Sequence, residues 1–203
     1  MPHQLLLATR NKGKIEEFRR ILEAIAPGQI ELLGLDKFPE LHDVVEDGKT
    51  FQENALKKAR EMSLATGLPA IADDSGLCVD ALNGDPGIFS ARWAGSHGDD
   101  QANLDKVLRE MVGVTNRRAQ FVCAAAFVTP GGYEKVIRAE MVGHLIDHAR
   151  GTNGFGYDPI FSPDGYSISS AQMSAADKDA ISHRGKALRA IAPHVRKMVA
   201  ELG

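Results

Sequence analysis

Pro69-Ala-Ile-Ala-Asp-Asp-Ser-Gly76 organises the reading of this 203-residue chain. Ala70 to Ala72 form a short apolar run, bounded by Pro69 and Gly76, that reads as a buried strand. The run ends on two adjacent carboxylates, Asp73 and Asp74, followed by a hydroxyl and a glycine. Strand ends in α/β proteins present chemistry, because the sheet holds them rigid while solvent reaches them. Neighbouring strand residues point to opposite faces. If the strand runs through both aspartates, one faces a site and the other needs a structural partner. Taken alone, Asp-Ser-Gly is good turn chemistry, and a capped turn is the plainer reading. The segments on either side reverse it.

Upstream, residues 4–9 read as a first strand. Ile15, Phe18, Ile21, Leu22 and Ile25 then recur at helical spacing and stop before Pro27-Gly28. Between strand and helix lies Arg10-Asn-Lys-Gly-Lys14. Such a turn gathers free backbone N–H groups, the positive helix end and cationic side chains, which suits a phosphate. It is not a Walker A loop, because Ala8 stands at the first glycine and Ile15 at the magnesium-binding hydroxyl. Residues 29–37 read as a second strand and 41–49 as a polar, acidic loop. Thr50-Phe-Gln-Glu53 matches a capping box opening a helix to about Thr66, closed by Gly67.

Downstream, residues 77–82 alternate like a further strand and lead into the turn at 83–87. Residues 99–111 read as a helix, and 119–129 with 133–146 as a hairpin turned by Pro130-Gly-Gly132. In Gly151-Thr-Asn-Gly-Phe-Gly-Tyr-Asp-Pro-Ile-Phe161, glycines surround two aromatics. Glycine lets backbone approach a ligand, and Phe155 or Tyr157 can stack on a base. Ser174-Ala-Ala-Asp177 is a second capping box. Leu188, Ile191, Val195, Met198 and Leu202 then mark a last amphipathic helix, with a kink or break expected at Pro193.

A formal net charge of −3 argues against broad electrostatic binding to nucleic acid, though not against one small anion on a local basic cluster. No apolar run reaches the roughly 20 residues that span a bilayer. The amino terminus shows no leader features, so a mature cytoplasmic protein is expected. Cys78 and Cys123 are far apart in apolar segments and read as reduced, buried thiols. His144 and His148 are spaced like a helical metal pair. Leu145 stands where the metalloprotease pattern requires Glu, and the preceding residues look strand-like, so surface histidines are expected.

Four motifs occur in register: Thr9 to Lys14, Ala72-Asp-Asp-Ser-Gly-Leu77 with Pro86-Gly-Ile-Phe-Ser-Ala-Arg92, Gly154-Phe-Gly-Tyr-Asp-Pro-Ile-Phe161, and Ser182-His-Arg-Gly185. Together they closely resemble the inosine triphosphate pyrophosphatase family, the non-canonical purine NTP pyrophosphatases, nearly end to end. The resemblance implies an α/β fold: an elongated mixed β-sheet with flanking helices, residues 1–203 as a single domain of two lobes around a central cleft, and a homodimer. It implies Mg²⁺-dependent hydrolysis of ITP, dITP and XTP to the monophosphate and pyrophosphate. By matching position, Asp74 is the implied general base. Thr9, Arg10, Asn11, Lys12, Gly13 and Lys14 are the implied triphosphate loop. Lys58, Ser75, Phe155, Gly156, Tyr157, Asp158, Lys178, His183 and Arg184 are the other implied substrate contacts. Asp74 and Glu46 are the implied metal ligands. Val45 and Gln172 depart from the family pattern at positions where acidic residues are common.

The chemistry agrees with those residue types. Cleavage between the α and β phosphates needs an oriented water and charge neutralisation, here expected from Lys14 and Lys178. Hypoxanthine and xanthine carry an acceptor at position 6 where adenine carries a donor, so Arg184 or a protonated His183 can tell them apart. Two other readings stay open: a Maf-like pyrophosphatase acting on modified pyrimidine or guanine nucleotides, and a nucleotide sensor without turnover.

Overall fold

In the computed structural model of the chain, residues 2–202 are described, with side chains described through residue 198. The elements follow the hydrophobic pattern: β1 (His3–Leu7), α1 (Lys12–Ile25), β2 (Ile30–Gly34), α2 (Phe51–Thr66), β3 (Ala70–Val79), α3 (Asp100–Glu110), β4 (Arg118–Val128), β5 (Glu134–Leu145), β6 (Phe161–Pro163), α4 (Ala175–Ile181) and α5 (His183–Leu202). Among the described residues the strands form one six-stranded sheet, ordered β2-β1-β3-β4-β5-β6. β1 runs parallel to β2 and to β3, while β5 and β6 are antiparallel, so the sheet is mixed as expected. Helices flank it.

The chain divides into two compact units. Unit 1 holds residues 1–74, 123–139 and 184–203; unit 2 holds residues 75–122 and 140–183. The core of unit 1 joins Leu5, Leu7 and Ile71 of the sheet to Phe18, Ile21 and Leu22 of α1 and to Leu188, Ile191 and Val195 of α5. Those helical residues are the ones whose spacing marked an apolar stripe. The core of unit 2 gathers Leu77, Val79, Leu104, Val107, Met111, Phe121, Met141 and Phe161.

Two expectations need correcting. The strand beginning at Ala70 does not stop at the aspartates; it continues through Ser75 and Gly76 to Val79. Gly76 is therefore not a turn glycine. A Cβ there would sit 2.3 Å from the Gly87 carbonyl oxygen and 2.4 Å from Ser90 Oγ, so glycine is needed for close packing. Pro193 does not break the last helix, which is continuous from His183 to Leu202. Pro193 is exposed, so the carbonyl deprived of its usual partner four residues earlier lies on the side that water can serve. The Leu202 side chain lies outside the described residues.

The helix signals are borne out. Thr50 Oγ1 accepts from the Glu53 N–H at 3.1 Å. Gly67 closes α2 in the left-handed conformation at φ 69°. Ser174 caps α4 by accepting from the Asp177 N–H at 3.1 Å. The capping box at α2 is modified, because Glu53 reaches back to the Lys49 N–H, at 2.6 Å, instead of that of Thr50.

Candidate active site

Because β3 runs through both aspartates, alternation sends their side chains to opposite faces of the sheet. Asp73 follows Ile71 onto the α1 and α5 face. It is fully buried, and both helices present a cation to it from their first turns. Lys14 Nζ lies 3.1 Å from Oδ1, and Arg184 Nε donates to Oδ2 at 3.3 Å. Arg184 also pairs with the buried Glu17. Burial alone would push the Asp73 carboxyl up, but Lys14, Arg184 and Lys58 outweigh it and hold it well below the usual carboxylate range. Cys123 Sγ, 3.9 Å from Asp73 Oδ2, is a buried thiol whose ionisation burial and Asp73 both oppose. Asp73 is thus the structural partner that alternation requires.

Asp74 faces α2. Its Oδ2 accepts from Asn54 Nδ2 at 2.9 Å. Lys58, one helical turn on, donates to the Asp73 backbone oxygen at 2.6 Å and pairs with Glu46. Burial is the main influence on Asp74 and pushes its carboxyl up; Lys58 and Lys14 oppose this, and Glu46 adds to it. Lys58 stays charged, since Asp74, Glu46 and Asp73 outweigh its desolvation. This face of the strand therefore holds a buried, incompletely compensated carboxylate with a second carboxylate and an ammonium beside it.

Glu46 belongs to the acidic loop, which lacks secondary structure yet is fastened along its length. Arg10 donates to the Leu41 carbonyl at 2.7 Å and to Asp43 at 2.9 Å. Lys58 takes Glu46 and Lys57 takes Asp47, the latter at 2.7 Å. Asn54 accepts from the Gly48 N–H at 2.8 Å. Arg10 therefore serves as a clasp between the first turn and this loop.

The rest of that first turn is built as a helix N-terminus. Asn11 is the N-cap, its side chain accepting from the Lys14 N–H at 3.0 Å. Thr9 Oγ1 accepts from the Asn11 N–H at 3.2 Å. Lys12 is exposed and Gly13 half-buried, at the positive end of α1.

In unit 2, the glycine-rich segment is anchored from several sides. Tyr157 is buried, and its hydroxyl donates to the Ser90 carbonyl at 2.7 Å. Its ring is thereby part of the core, while the half-buried Phe155 remains the aromatic suited to stacking. Asp158 Oδ2 accepts from the Phe155 N–H at 2.9 Å and from Lys178 Nζ at 2.5 Å. That ammonium lies 5.4 Å from the centre of the Phe155 ring. Gly156 donates to Asp100 at 3.0 Å. A Cβ on Gly154, which has φ 74°, would sit 2.1 Å from Asp158 Oδ2, so the close approach requires glycine. His183 stacks on Phe121 with centroids 4.9 Å apart. Ser75 is half-buried on β3.

The residues expected to meet substrate thus fall into two sets. Asp74, Glu46, Lys58 and the 9–14 turn lie in unit 1. Ser75, Phe155 to Asp158, Lys178 and His183 lie in unit 2. Arg184, read from sequence as a donor to the base, is buried in unit 1 between Glu17 and Asp73, and Lys178 is tied to Asp158. Gln172 caps a short turn by accepting from the Ser169 N–H at 3.0 Å. His144 lies in β5, and His148 pairs with Asp147. Among the described residues, no group of three or more His, Cys, Asp or Glu is placed to hold a metal by itself.

Sequence reasoning missed Asn54 and Glu17. Both left a signal. Asn54 and Lys58 lie on the buried face of α2 among the apolar Phe51, Ala55, Ala59 and Met62. Glu17 adjoins Phe18 on the buried side of α1. A polar residue on an apolar stripe needs a buried partner.

Comparison with known proteins gives the family and the fold. The sequence profile described as the Ham1 family matches residues 5–194. A dITP/XTP pyrophosphatase of Streptomyces coelicolor is 55% identical over 198 residues, covering 97% of this chain and 98% of the relative. The solved structure of the Staphylococcus aureus Ham1 protein superposes with a TM-score of 0.84 at 39% identity, covering 96% of this chain and 99% of that one. A structure from Mycobacterium abscessus, described as a nucleoside-triphosphatase / dITP/XTP pyrophosphatase, gives 0.75 at 46% identity, covering 95% and 99%.

Proposed function

The chain belongs to the Ham1 family, and from that premise we propose that it hydrolyses non-canonical purine nucleoside triphosphates (ITP, dITP and XTP) to the monophosphate and pyrophosphate, clearing them from the nucleotide pool. The observation that carries the reading is the division of labour along β3. Asp73 is consumed in ion pairs, which leaves Asp74 as a buried carboxylate with raised proton affinity beside Glu46 and Lys58. Its named relatives act as dITP/XTP pyrophosphatases.

In this reading the turn at Thr9 to Lys14 takes the polyphosphate with backbone N–H groups, Lys12 and Lys14. Water attacks the α-phosphorus, its proton passes to Asp74, and pyrophosphate leaves with the bridging oxygen. A carboxylate whose affinity for protons is raised is the better acceptor. Asp74 and Glu46 also fit Mg²⁺, a hard cation held by one or two carboxylates together with substrate phosphates. Their mutual repulsion at Asp74 is what a dication relieves. When bound, the ion would offset the phosphate charge as the bond to the leaving group breaks. Lys58 keeps Glu46 in place through their ion pair.

Phe155 offers a stacking face for the purine, and Lys178 with Asp158 fixes the segment that carries it. His183 is the first choice for a donor to the 6-oxo group, because the Arg184 guanidinium already serves two carboxylates; Ser75 remains a polar contact. A homodimer and a cytoplasmic setting belong to the same proposal. Among the described residues no helix is long and apolar enough to cross a membrane.

The test is a panel of nucleoside triphosphates with Mg²⁺ and identification of the phosphorus products. ITP, dITP and XTP should release pyrophosphate, with kcat/KM for ATP and GTP lower by about 10²-fold or more. Asp74→Asn should lower turnover on ITP by at least about 10²-fold while remaining folded. Single release of the γ-phosphate, or a preference for modified pyrimidines, would overturn the assignment.

A further inference from the structure

We infer that Asn54 is a positioning residue for the reaction, holding the Asp74 carboxylate and the loop that carries Glu46 at a fixed separation. This rests on the reading of Asp74 and Glu46 given above. Asn54 is 1% exposed, and each end of its amide meets a different element. Nδ2 donates to Asp74 Oδ2 at 2.9 Å, and Oδ1 accepts from the Gly48 N–H at 2.8 Å. The orientation is dictated chemically: a backbone N–H can only donate, so the amide oxygen must face Gly48 and the amide nitrogen must face the carboxylate. One planar group therefore spans from the strand to the loop two residues after Glu46.

No other neutral side chain of this size offers both a donor and an acceptor in that rigid relation. Aspartate keeps the acceptor for Gly48 but, when ionised, faces Asp74 with a like charge. Alanine keeps neither contact. The loop backbone is seated against the amide, since a Cβ on Gly48 would stand 2.6 Å from Asn54 Oδ1. Position 48 must therefore stay glycine for the amide to reach both partners. A carboxylate free to swing by about 1 Å loses on the order of 10²-fold in rate, and loss of such supporting partners typically costs about 10–100-fold.

The experiment compares wild type, Asn54→Asp, Asn54→Ala and Gly48→Ala. It measures steady-state kinetics on ITP with Mg²⁺ at pH 8, amide hydrogen exchange at Gly48, and thermal melting. Wild-type release of pyrophosphate from ITP is scored first; its failure sinks the functional reading and leaves this inference without a reaction. Given that activity, Asn54→Asp should keep slow exchange at Gly48 and yet lower kcat by about 10–100-fold, with KM changed less than about threefold. Asn54→Ala should lose both the protection and the rate. Gly48→Ala should lower kcat although the Asn54 amide is intact. A purely structural amide would lower the melting temperature and leave kcat of the folded enzyme alone. That result, or a loss confined to KM, overturns the inference. If Asn54→Asp does not fold, Gly48→Ala decides: wild-type kcat there is equally fatal.

Discussion

Asp73 and Arg184 hold one another inside unit 1, joining the strand to the last helix. Asp73, Arg184 and Glu17 form a buried chain of alternating charge, and the half-buried Lys14 pairs with its Asp73 end. Removing one member strands a charge that water cannot reach. Arg184→Ala should therefore cost about 3–5 kcal/mol of stability, read by urea denaturation, and Arg184→Lys should recover only part of it, because an ammonium lacks the fork that serves two carboxylates. The sign with pH follows from the direction of the Asp73 shift. Its folded affinity for protons is lowered, so its contribution is fully present above the ordinary aspartate range, about pH 4, and is lost as pH falls through the lowered value. Wild type should lose stability steeply in that acid window, whereas Asp73→Asn should be less stable at neutral pH and show a shallower acid dependence. Denaturation midpoints between pH 2 and 7 check both expectations. Much of this was legible in sequence: adjacent aspartates on a strand demand one structural partner. Glu17 was not, because a carboxylate on a helix gives no sign of a partner 167 positions away.

Among the elements, α5 is where local propensity and tertiary packing disagree. Proline in a helix interior costs about 3 kcal/mol. Yet the helix is continuous across Pro193, because Leu188, Ile191 and Val195 are buried on one stripe. Packing of that stripe outweighs the missing hydrogen bond. Pro193→Ala, at an exposed position, should restore the bond to the Arg189 carbonyl and raise stability by about 1–3 kcal/mol; thermal melting checks it. At the other end of the chain's helices, Thr50→Ala removes the α2 cap and should cost about 1 kcal/mol. It should leave kcat on ITP near wild type, since the Asn54 contacts do not pass through it. Helix limits were legible from caps and glycines. The length of β3 was not, because Ser75-Gly76 has the composition of a turn. What keeps it extended is the close approach of Gly87 and Ser90, which come from later in the chain.

At the scale of the whole molecule, charge is nearly balanced, with 24 Lys and Arg against 27 Asp and Glu. A nucleic-acid binder neutralises many phosphates and loses affinity steeply with salt. This chain should not retard duplex DNA in a gel shift at about 0.1 M salt, and no salt-dependent binding should appear when the salt is lowered moderately. The mixed sheet with flanking helices was legible through the family resemblance that the four motifs carry. The fastening of the acidic loop was not, because its tethers come from two places, Arg10 ahead of α1 and Asn54, Lys57 and Lys58 on α2, that spacing alone cannot bring together. The continuity of β3 has one more consequence. The roles of Asp73 and Asp74 are fixed by odd and even position alone, so inserting or deleting one residue between Pro69 and Ala72 would exchange them. The carboxylate that faces α2 would be drawn between α1 and α5, and the one paired with those two helices would be turned toward α2. Tolerance of length changes should therefore vanish in that short interval while it persists in the turn at Pro130 to Gly132.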